Sequence, residues 1–220
     1  MITLFISNSY ASNENIYQNK NDSIIIIGAS YAHGWKIKSI AGLKVINVSI
    51  GGAETNEMLS RFNKEVIERK PKAVIIWGFI NDIFRSKPDQ VQSKLITTKN
   101  NILIMIDRAQ NAGIIPILAT ELTITSRDSF TEYIAGFLGK ILGKKSYQDY
   151  VNNLVMETDN WLENIARKRG LVLLDFQAEL SDDNGIRLRK YATSDGSHVS
   201  QEAYQVLSDY VANLKLSQTK

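Results

Sequence analysis

The 220-residue chain contains no cysteine and only two histidines. The lack of cysteine excludes thiolate catalysis, disulfides and cysteine metal sites, and two histidines argue against a multi-histidine zinc centre. No apolar run approaches the length of a membrane span. The net charge of +3 comes from nearly balanced signs and gives no reason to expect a nucleic-acid partner. A mechanism that pairs a nucleophile with an imidazole base therefore has two candidates for that base, His33 and His198.

The first 22 residues differ from the rest of the chain. Residues 1–6 are apolar, residues 9–11 resemble a small-residue cleavage site, and residues 12–22 form an Asn-rich polar tract. These features fit either a signal-peptide remnant or an N-terminal arm. We expect a single domain over residues 23–220. An exported protein, periplasmic or extracellular, is the preferred interpretation, and a cytoplasmic protein is the alternative.

From residue 23 onward, short apolar runs alternate with longer amphipathic stretches. The apolar runs predict parallel strands buried on both faces, at residues 23–27, 44–48, 73–77, 114–118 and 171–175. The amphipathic stretches predict helices near residues 54–69, 91–111, 147–168 and 201–214, with Gly113 and Gly170 as C-terminal stops. This alternation predicts an α/β fold: a single-domain three-layer α/β/α sandwich with a five-stranded parallel sheet.

Two segments stand apart from this pattern. Residues 123–146 mix apolar residues with three glycines and several lysines, and they leave the C-terminal end of a strand. In open α/β sheets that edge lines the ligand crevice, so the segment is either a substrate-covering insertion or an extra packed helix. The densest basic run, residues 187–190, is expected to be a solvated loop surface.

Polar residues follow the predicted strands at the points where each strand ends. Ser30 comes just after the first strand, where a serine serves either as a helix cap or as a nucleophile. Gly52 follows the second strand, Asn81 follows the third, and Asp195 and His198 precede the last helix. The dinucleotide fingerprint, the phosphate loop and the G-x-S-x-G elbow are all absent. Because the carboxyl ends of parallel strands meet at one edge, we expect these residues to converge.

These four blocks, in this order, resemble those of the SGNH (GDSL-type) hydrolase superfamily, and the resemblance covers most of residues 23–210. Ser30 matches the nucleophile block, Gly52 the second block, Asn81 the third, and Asp195 with His198 the D-x-x-H of the last. The superfamily includes esterases, lipases, lysophospholipases, thioesterases and carbohydrate deacetylases. The resemblance implies a flavodoxin-like SGNH hydrolase fold.

The chain departs from the superfamily pattern at two positions. Gly28-Ala29-Ser30 stands where Gly-Asp-Ser is common in the superfamily, so Ala29 takes the place of the aspartate. This aspartate is not the acid of the triad, and its replacement should alter local hydrogen bonding rather than remove the chemistry. The third block usually reads G-x-N-D, whereas here two residues separate Gly78 from Asn81. That spacing leaves the role of Gly78 open.

The resemblance also implies a role for each matched residue. Ser30 would attack the ester carbonyl, His198 would accept its proton, and Asp195 would orient the imidazole. The oxyanion hole would consist of the backbone N–H groups of Ser30 and Gly52 and the side-chain amide of Asn81. Beside these residues, His33 and Phe79 either pack or contact the substrate. Asp82 and Arg85 are expected to pair with each other near the same rim, and substrate contact is an alternative that no sequence feature supports.

Together these observations predict a serine esterase that hydrolyses a carboxylic ester through an acyl-serine intermediate, with no metal and no organic cofactor. The expected partner is a small-molecule or glycan ester, and neither nucleic acid nor an integral membrane segment is expected. Two alternatives stay open. One is a carbohydrate O-acetyl esterase or acyltransferase that acts on a polysaccharide, and the other is a non-catalytic binding module on the same fold.

Overall fold

The computed structural model of the chain describes residues 21–125, 144–212 and 214. The predicted N-terminal arm therefore lies outside the described residues except for residues 21 and 22, which belong to the first strand. Residues 126–143, most of the segment for which a covering insertion or an extra helix was expected, also lie outside them.

The sheet contains the five predicted parallel strands and one more. The strands are β1 (Asn21–Gly28), β2 (Ser39–Ile40), β3 (Leu43–Asn47), β4 (Pro71–Trp77), β5 (Ile115–Ala119) and β6 (Val172–Leu174). The prediction of five strands is corrected to six, because β2 pairs antiparallel with β3 at one edge. Ala41 and Gly42 join them with φ of 50° and 76°, as a tight hairpin requires. A two-residue strand is too short to produce an apolar run.

The four long predicted helices are present. They are α2 (Thr55–Phe62), which continues as a π-helical turn (Asn63–Ile67), α4 (Val91–Asn111), α5 (Lys144–Arg169) and α7 (Gln201–Ala212). Gly113 and Gly170 follow α4 and α5 with φ of 69° and 63°, which confirms their role as helix stops. No described helix is both long and apolar enough to cross a membrane.

Within the described residues, three short α-helices were not predicted: α1 (Ser30–Gly34), α3 (Ile80–Phe84) and α6 (Phe176–Leu180). Each has five residues, which is too short for an apolar period of 3.6 residues to repeat. Two of them, α1 and α3, begin directly beyond the carboxyl ends of β1 and β4. They carry Ser30 and Asn81, so two of the three helices that the periodicity missed hold predicted site residues.

The order of the parallel strands is β3-β1-β4-β5-β6, which is the flavodoxin-like order. The interior strand β1 holds four consecutive isoleucines, Ile24 to Ile27, all completely buried, so both faces of the sheet are covered there. In this topology the chain reverses direction across the sheet between β1 and β4. The crevice at the carboxyl ends of these two strands is where α/β folds of this kind bind ligands.

Candidate active site

A cavity of about 820 Å³ lies at the carboxyl ends of β1, β3 and β4. Four of the five residues matched in the sequence line it: Ser30, Gly52, Asn81 and His198. The fifth, Asp195, contacts the His198 ring. The remaining lining residues are Tyr31, Gly51, Ile80, Phe84, Arg85 and Ser197. Residues up to 168 positions apart in sequence thus meet at one edge of the sheet.

The turn that presents Ser30 is packed directly against the end of β4. A side chain at Gly28 would place its Cβ 2.0 Å from the carbonyl oxygen of Trp77. Gly78 has a φ of +144°, and a Cβ there would lie 2.8 Å from the Ala29 nitrogen. Gly78 is therefore needed because β4 passes so close to the turn before Ser30. This contact gives Gly78 the role that the sequence left open.

The loop after β3 brings Gly52 to the cavity. The Asn47 side-chain amide donates to the carbonyl oxygens of Ala32 and Trp35, at 2.7 and 3.1 Å, and so fastens this loop to α1. Gly52 has a φ of +77°, a conformation that residues with a side chain rarely adopt. The loop therefore reaches the rim through a backbone geometry that favours glycine.

Asn81 lies in the first turn of α3, and its side-chain nitrogen donates to the carbonyl oxygen of Ala53 at 3.0 Å. A primary amide has two N–H donors, so one is left for the cavity. The start of α3 is held by Glu121, a carboxylate buried just beyond β5, which accepts the N–H groups of Phe79 and Ile80 at 2.8 and 3.0 Å. Burial raises the pKa of Glu121 to about 7, against the lowering effect of these hydrogen bonds.

Asp195 is fixed by hydrogen bonds from its own loop. Its Oδ1 accepts the N–H groups of Ser197 and His198 at 2.8 and 3.0 Å and the Thr193 hydroxyl at 2.9 Å. Its Oδ2 lies 2.6 Å from His198 Nδ1. Partial burial acts to raise the pKa of Asp195, but the hydrogen bonds, with that of the His198 ring the largest, hold this pKa well below its ordinary value.

An ionised Asp195 determines which nitrogen of His198 carries the proton. A carboxylate only accepts hydrogen bonds, so Nδ1 of the neutral ring must be the donor, and Nε2 keeps its lone pair. The ring is exposed on the cavity side, where Ser30 also lies. Among the described residues no hydrogen bond joins the two side chains, and such contacts are often loose before substrate binds.

The basic run at residues 187–190 is not entirely a solvated surface, which corrects the expectation for Arg187. The Arg187 side chain is 1% exposed, and its Nη2 donates to the carbonyl oxygens of Gly196 and Ser197 at 3.0 and 2.7 Å. Its guanidinium also lies over the Tyr31 ring. Arg189 and Lys190 are exposed, whereas Arg187 is buried and holds the loop that carries Asp195 and His198.

Two further residues lie away from the cavity lining. The exposed His33 ring contacts the carbonyl oxygen of Ser49 at 2.9 Å, and Phe79 is buried in the core.

The expected pair of Asp82 with Arg85 is wrong. Asp82 is completely buried, and it accepts hydrogen bonds from the N–H and hydroxyl groups of Thr55 and the hydroxyl group of Thr98. Because its side chain points inward, Asp82 joins α3 to its neighbouring helices.

The sequence did not single out Ile80, which lines the cavity next to the expected Phe79. Arg85 was expected near the rim as a partner of Asp82, and the structure places it in the cavity lining instead. The signal for Arg85 is its spacing of four residues from Asn81, which puts both on one face of a helical turn. That signal required α3 to be recognised as a helix.

Comparison with known proteins extends these observations. A family model described as the GDSL-like lipase/acylhydrolase family matches residues 26–206. The uncharacterized lipoprotein YqeF of Bacillus subtilis (strain 168) is 24% identical in an alignment of 183 residues that covers 74% of this chain and 72% of that protein. A GDSL-like lipase from Bacteroides thetaiotaomicron VPI-5482 has a TM-score of 0.66 at 18% identity, with 87% of this chain and 86% of that chain covered. A catalytic mutant of the acetylxylan esterase Axe2 from Geobacillus stearothermophilus has a TM-score of 0.60 at 15% identity, with 91% and 98% covered.

The family match spans all the motif blocks, from the strand before Ser30 to the helix after His198. The solved structures share the fold over most of the chain at low sequence identity. The chain belongs to the GDSL-like lipase/acylhydrolase family, as its motif blocks indicated, and is an ester-hydrolysing enzyme.

Proposed function

We propose that the protein is a serine esterase that cleaves a carboxylic ester through an acyl-serine intermediate, with Ser30 as nucleophile, His198 as base and Asp195 as the residue that orients the base. The observation that carries this proposal is the shared cavity. Ser30 and His198 line it, and Asp195 Oδ2 lies 2.6 Å from Nδ1 of the His198 ring.

In the acylation step, the Ser30 hydroxyl attacks the ester carbonyl while Nε2 of His198 takes its proton. Asp195 stays ionised and stabilises the imidazolium. The same proton then goes to the leaving alcohol as the tetrahedral intermediate collapses to the acyl-serine. A water molecule, activated in turn by His198, hydrolyses this intermediate and restores the Ser30 hydroxyl. No step requires a metal or an organic cofactor.

The negative charge of the tetrahedral intermediate needs preorganised donors. We assign these to the backbone N–H groups of Ser30 and Gly52 and to the amide N–H of Asn81 that Ala53 does not accept. The support for this assignment is that all three residues line the cavity that holds the nucleophile. Loss of one such donor costs about 100- to 1000-fold in kcat in other acyl-transfer enzymes.

The test is hydrolysis of short 4-nitrophenyl esters by the wild type and by the Ser30→Ala and His198→Ala variants. We expect both variants to lose at least about 1000-fold in kcat, because the nucleophile or its base is missing. A fluorophosphonate probe should label the wild type and leave Ser30→Ala unlabelled, which also separates an enzyme from a binding module. An active wild type whose rate survives both substitutions would show that other residues do the chemistry.

An acetylated carbohydrate is a second candidate substrate. It is favoured by the fold shared with an acetylxylan esterase over 91% of this chain. The lipoprotein name of the Bacillus subtilis relative supports an exported protein, which could meet such polymers outside the cell. Acetate release from acetylated xylan, compared with release from a small acetyl ester, distinguishes the two substrate classes. Acetate transfer to an added sugar would indicate acyltransfer.

A further inference from the structure

The cavity beside Ser30 carries one permanent charge among the described residues that line it, the guanidinium of Arg85. The other lining residues are glycines, neutral polar groups, apolar or aromatic side chains, and His198. None of them is a carboxylate, so no anion on the described wall balances the arginine. A guanidinium keeps its charge at every physiological pH.

The position of Arg85 is set by the same helical turn that positions Asn81. Its backbone N–H donates to the Asn81 carbonyl oxygen at 3.0 Å, which closes α3. Residues four apart on a helix lie on one face, so both side chains point to the cavity. The guanidinium also lies against Gly52, since its Nη2 is 3.0 Å from the place that a Cβ on Gly52 would occupy. Arg85 is therefore beside two of the proposed oxyanion donors.

The acidic side chain beside Arg85, that of Glu57, does not form a hydrogen-bonded ion pair with its guanidinium. Glu57 Oε2 is 3.8 Å from Arg85 Nη1, beyond hydrogen-bond distance, and both side chains are more than half exposed. That same oxygen accepts the Glu54 N–H at 2.8 Å, as part of the cap of α2. Exposed pairs of this kind contribute little. The Arg85 side chain makes no hydrogen bond to another residue of the described parts of the chain.

We propose that Arg85 binds an anionic group of the substrate, a carboxylate or a phosphate, carried a few atoms from the scissile ester. This inference rests on the proposed esterase function and narrows it to anionic esters. Arginine suits the role because its planar donors match the oxygens of both groups, and hydrogen bonds between charged partners are the strong ones. The anion belongs to either the acyl or the alcohol part of the ester.

The test compares matched neutral and anionic esters in wild type and Arg85→Gln. In the acyl arm, 4-nitrophenyl butyrate is compared with the 4-nitrophenyl monoester of succinate. In the alcohol arm, phenyl acetate is compared with 4-acetoxybenzoate. We expect kcat/KM for the anionic ester of at least one arm to fall about tenfold or more in Arg85→Gln, while the neutral esters change less than about twofold. Arg85→Lys should retain part of the preference, because it keeps the charge without the planar fork.

Lys87→Gln is the matched control, since it removes one exposed positive charge two residues away without altering the cavity lining. It should leave every ratio unchanged. Equal losses for neutral and anionic esters in both arms of Arg85→Gln would overturn the role of Arg85 and leave the esterase function intact. A wild type that hydrolyses none of the four esters would overturn the esterase function and this inference with it.

Discussion

Gly51 and Gly52 are adjacent in sequence and differ in what their backbone permits. Gly52 has a φ of +77°, and a Cβ there would meet Arg85 Nη2 at 3.0 Å. Gly51 has nothing within 4 Å of the position of a Cβ. The second glycine of the pair is therefore constrained by both conformation and space, and the first by neither.

This contrast predicts different outcomes for the same substitution. Gly52→Ala should lower the free energy of unfolding by about 1–2 kcal/mol, because a left-handed backbone is unfavourable for alanine. It should also lower kcat/KM, since Arg85 must move and the cavity changes shape. Gly51→Ala should change stability by less than about 0.5 kcal/mol. Urea unfolding and ester hydrolysis measure both effects, and equal behaviour of the two variants would contradict the assigned geometry.

At the scale of elements, the loop that carries Asp195 and His198 is held from two sides. Asp195 organises it from within, through hydrogen bonds to the N–H groups of Ser197 and His198. Arg187 holds it from the protein interior, by donating hydrogen bonds to the carbonyl oxygens of Gly196 and Ser197. The loop is thus fixed by a buried cation that does not itself reach the cavity. Arg187 is a positioning residue.

Arg187→Met should therefore reduce kcat by about 100-fold with KM nearly unchanged, because a small displacement of the loop misaligns His198 with Ser30. It should also cost about 3 kcal/mol in unfolding free energy, since two buried carbonyl oxygens lose a charged donor. Arg187→Lys should recover part of both losses. Kinetics must be measured at temperatures where circular dichroism shows every variant folded.

The matched control for Arg187 is Arg189, an exposed arginine that donates to the Thr193 carbonyl oxygen of the same loop at 2.7 Å. Exposed hydrogen bonds are largely replaced by water, so Arg189→Ala should keep kcat within about twofold and stability within about 0.5 kcal/mol. If Arg187→Met raised KM and left kcat intact, the arginine would act on substrate binding and not on the loop.

Sequence patterns predicted the long elements of this fold and could not predict what holds the site together. Continuous apolar runs located all five parallel strands, because strands covered on both faces carry apolar residues throughout. Asp82 contacts Thr55 and Thr98, and Arg187 stacks on Tyr31 while its guanidinium bonds carbonyl oxygens of an irregular loop. A local apolar pattern gives no sign of either set of contacts. The motif blocks located Ser30 and Asn81, whereas Arg85 was expected only as a partner of Asp82, and its place in the cavity lining depends on the short helix α3.

At the scale of the whole molecule, Glu121 connects the end of β5 to the start of α3 and to α5 at the carboxyl edge of the sheet. It lies just beyond β5, and its carboxylate accepts the N–H groups of Phe79 and Ile80 at the start of α3. Its own backbone N–H donates to Asp159 of α5 at 2.8 Å. Complete burial disfavours the charged form, so the pKa of Glu121 rises to about 7.

This raised pKa makes stability depend on pH in a defined direction. The folded-state pKa of about 7 exceeds the ordinary value of 4.5, so between these values the folded protein binds more protons than the unfolded chain. Stability from Glu121 is then fully present below about pH 4.5 and is lost as the pH rises to about 7, by roughly 3 kcal/mol at 1.36 kcal/mol per pKa unit. Glu121→Gln removes this titration.

The experiment is urea unfolding of wild type and Glu121→Gln from pH 4.5 to 8. The free energy of unfolding of the wild type relative to the variant should decrease up to about pH 7 and be level above it. Asp159 is present in both proteins, so the titration of Glu121 dominates the difference between them. A difference that stays constant with pH would mean that the N–H groups of Phe79 and Ile80, together with the nearby Arg187 charge, keep Glu121 ionised in the folded protein. In that case the carboxylate stabilises the start of α3 as an anion throughout the range.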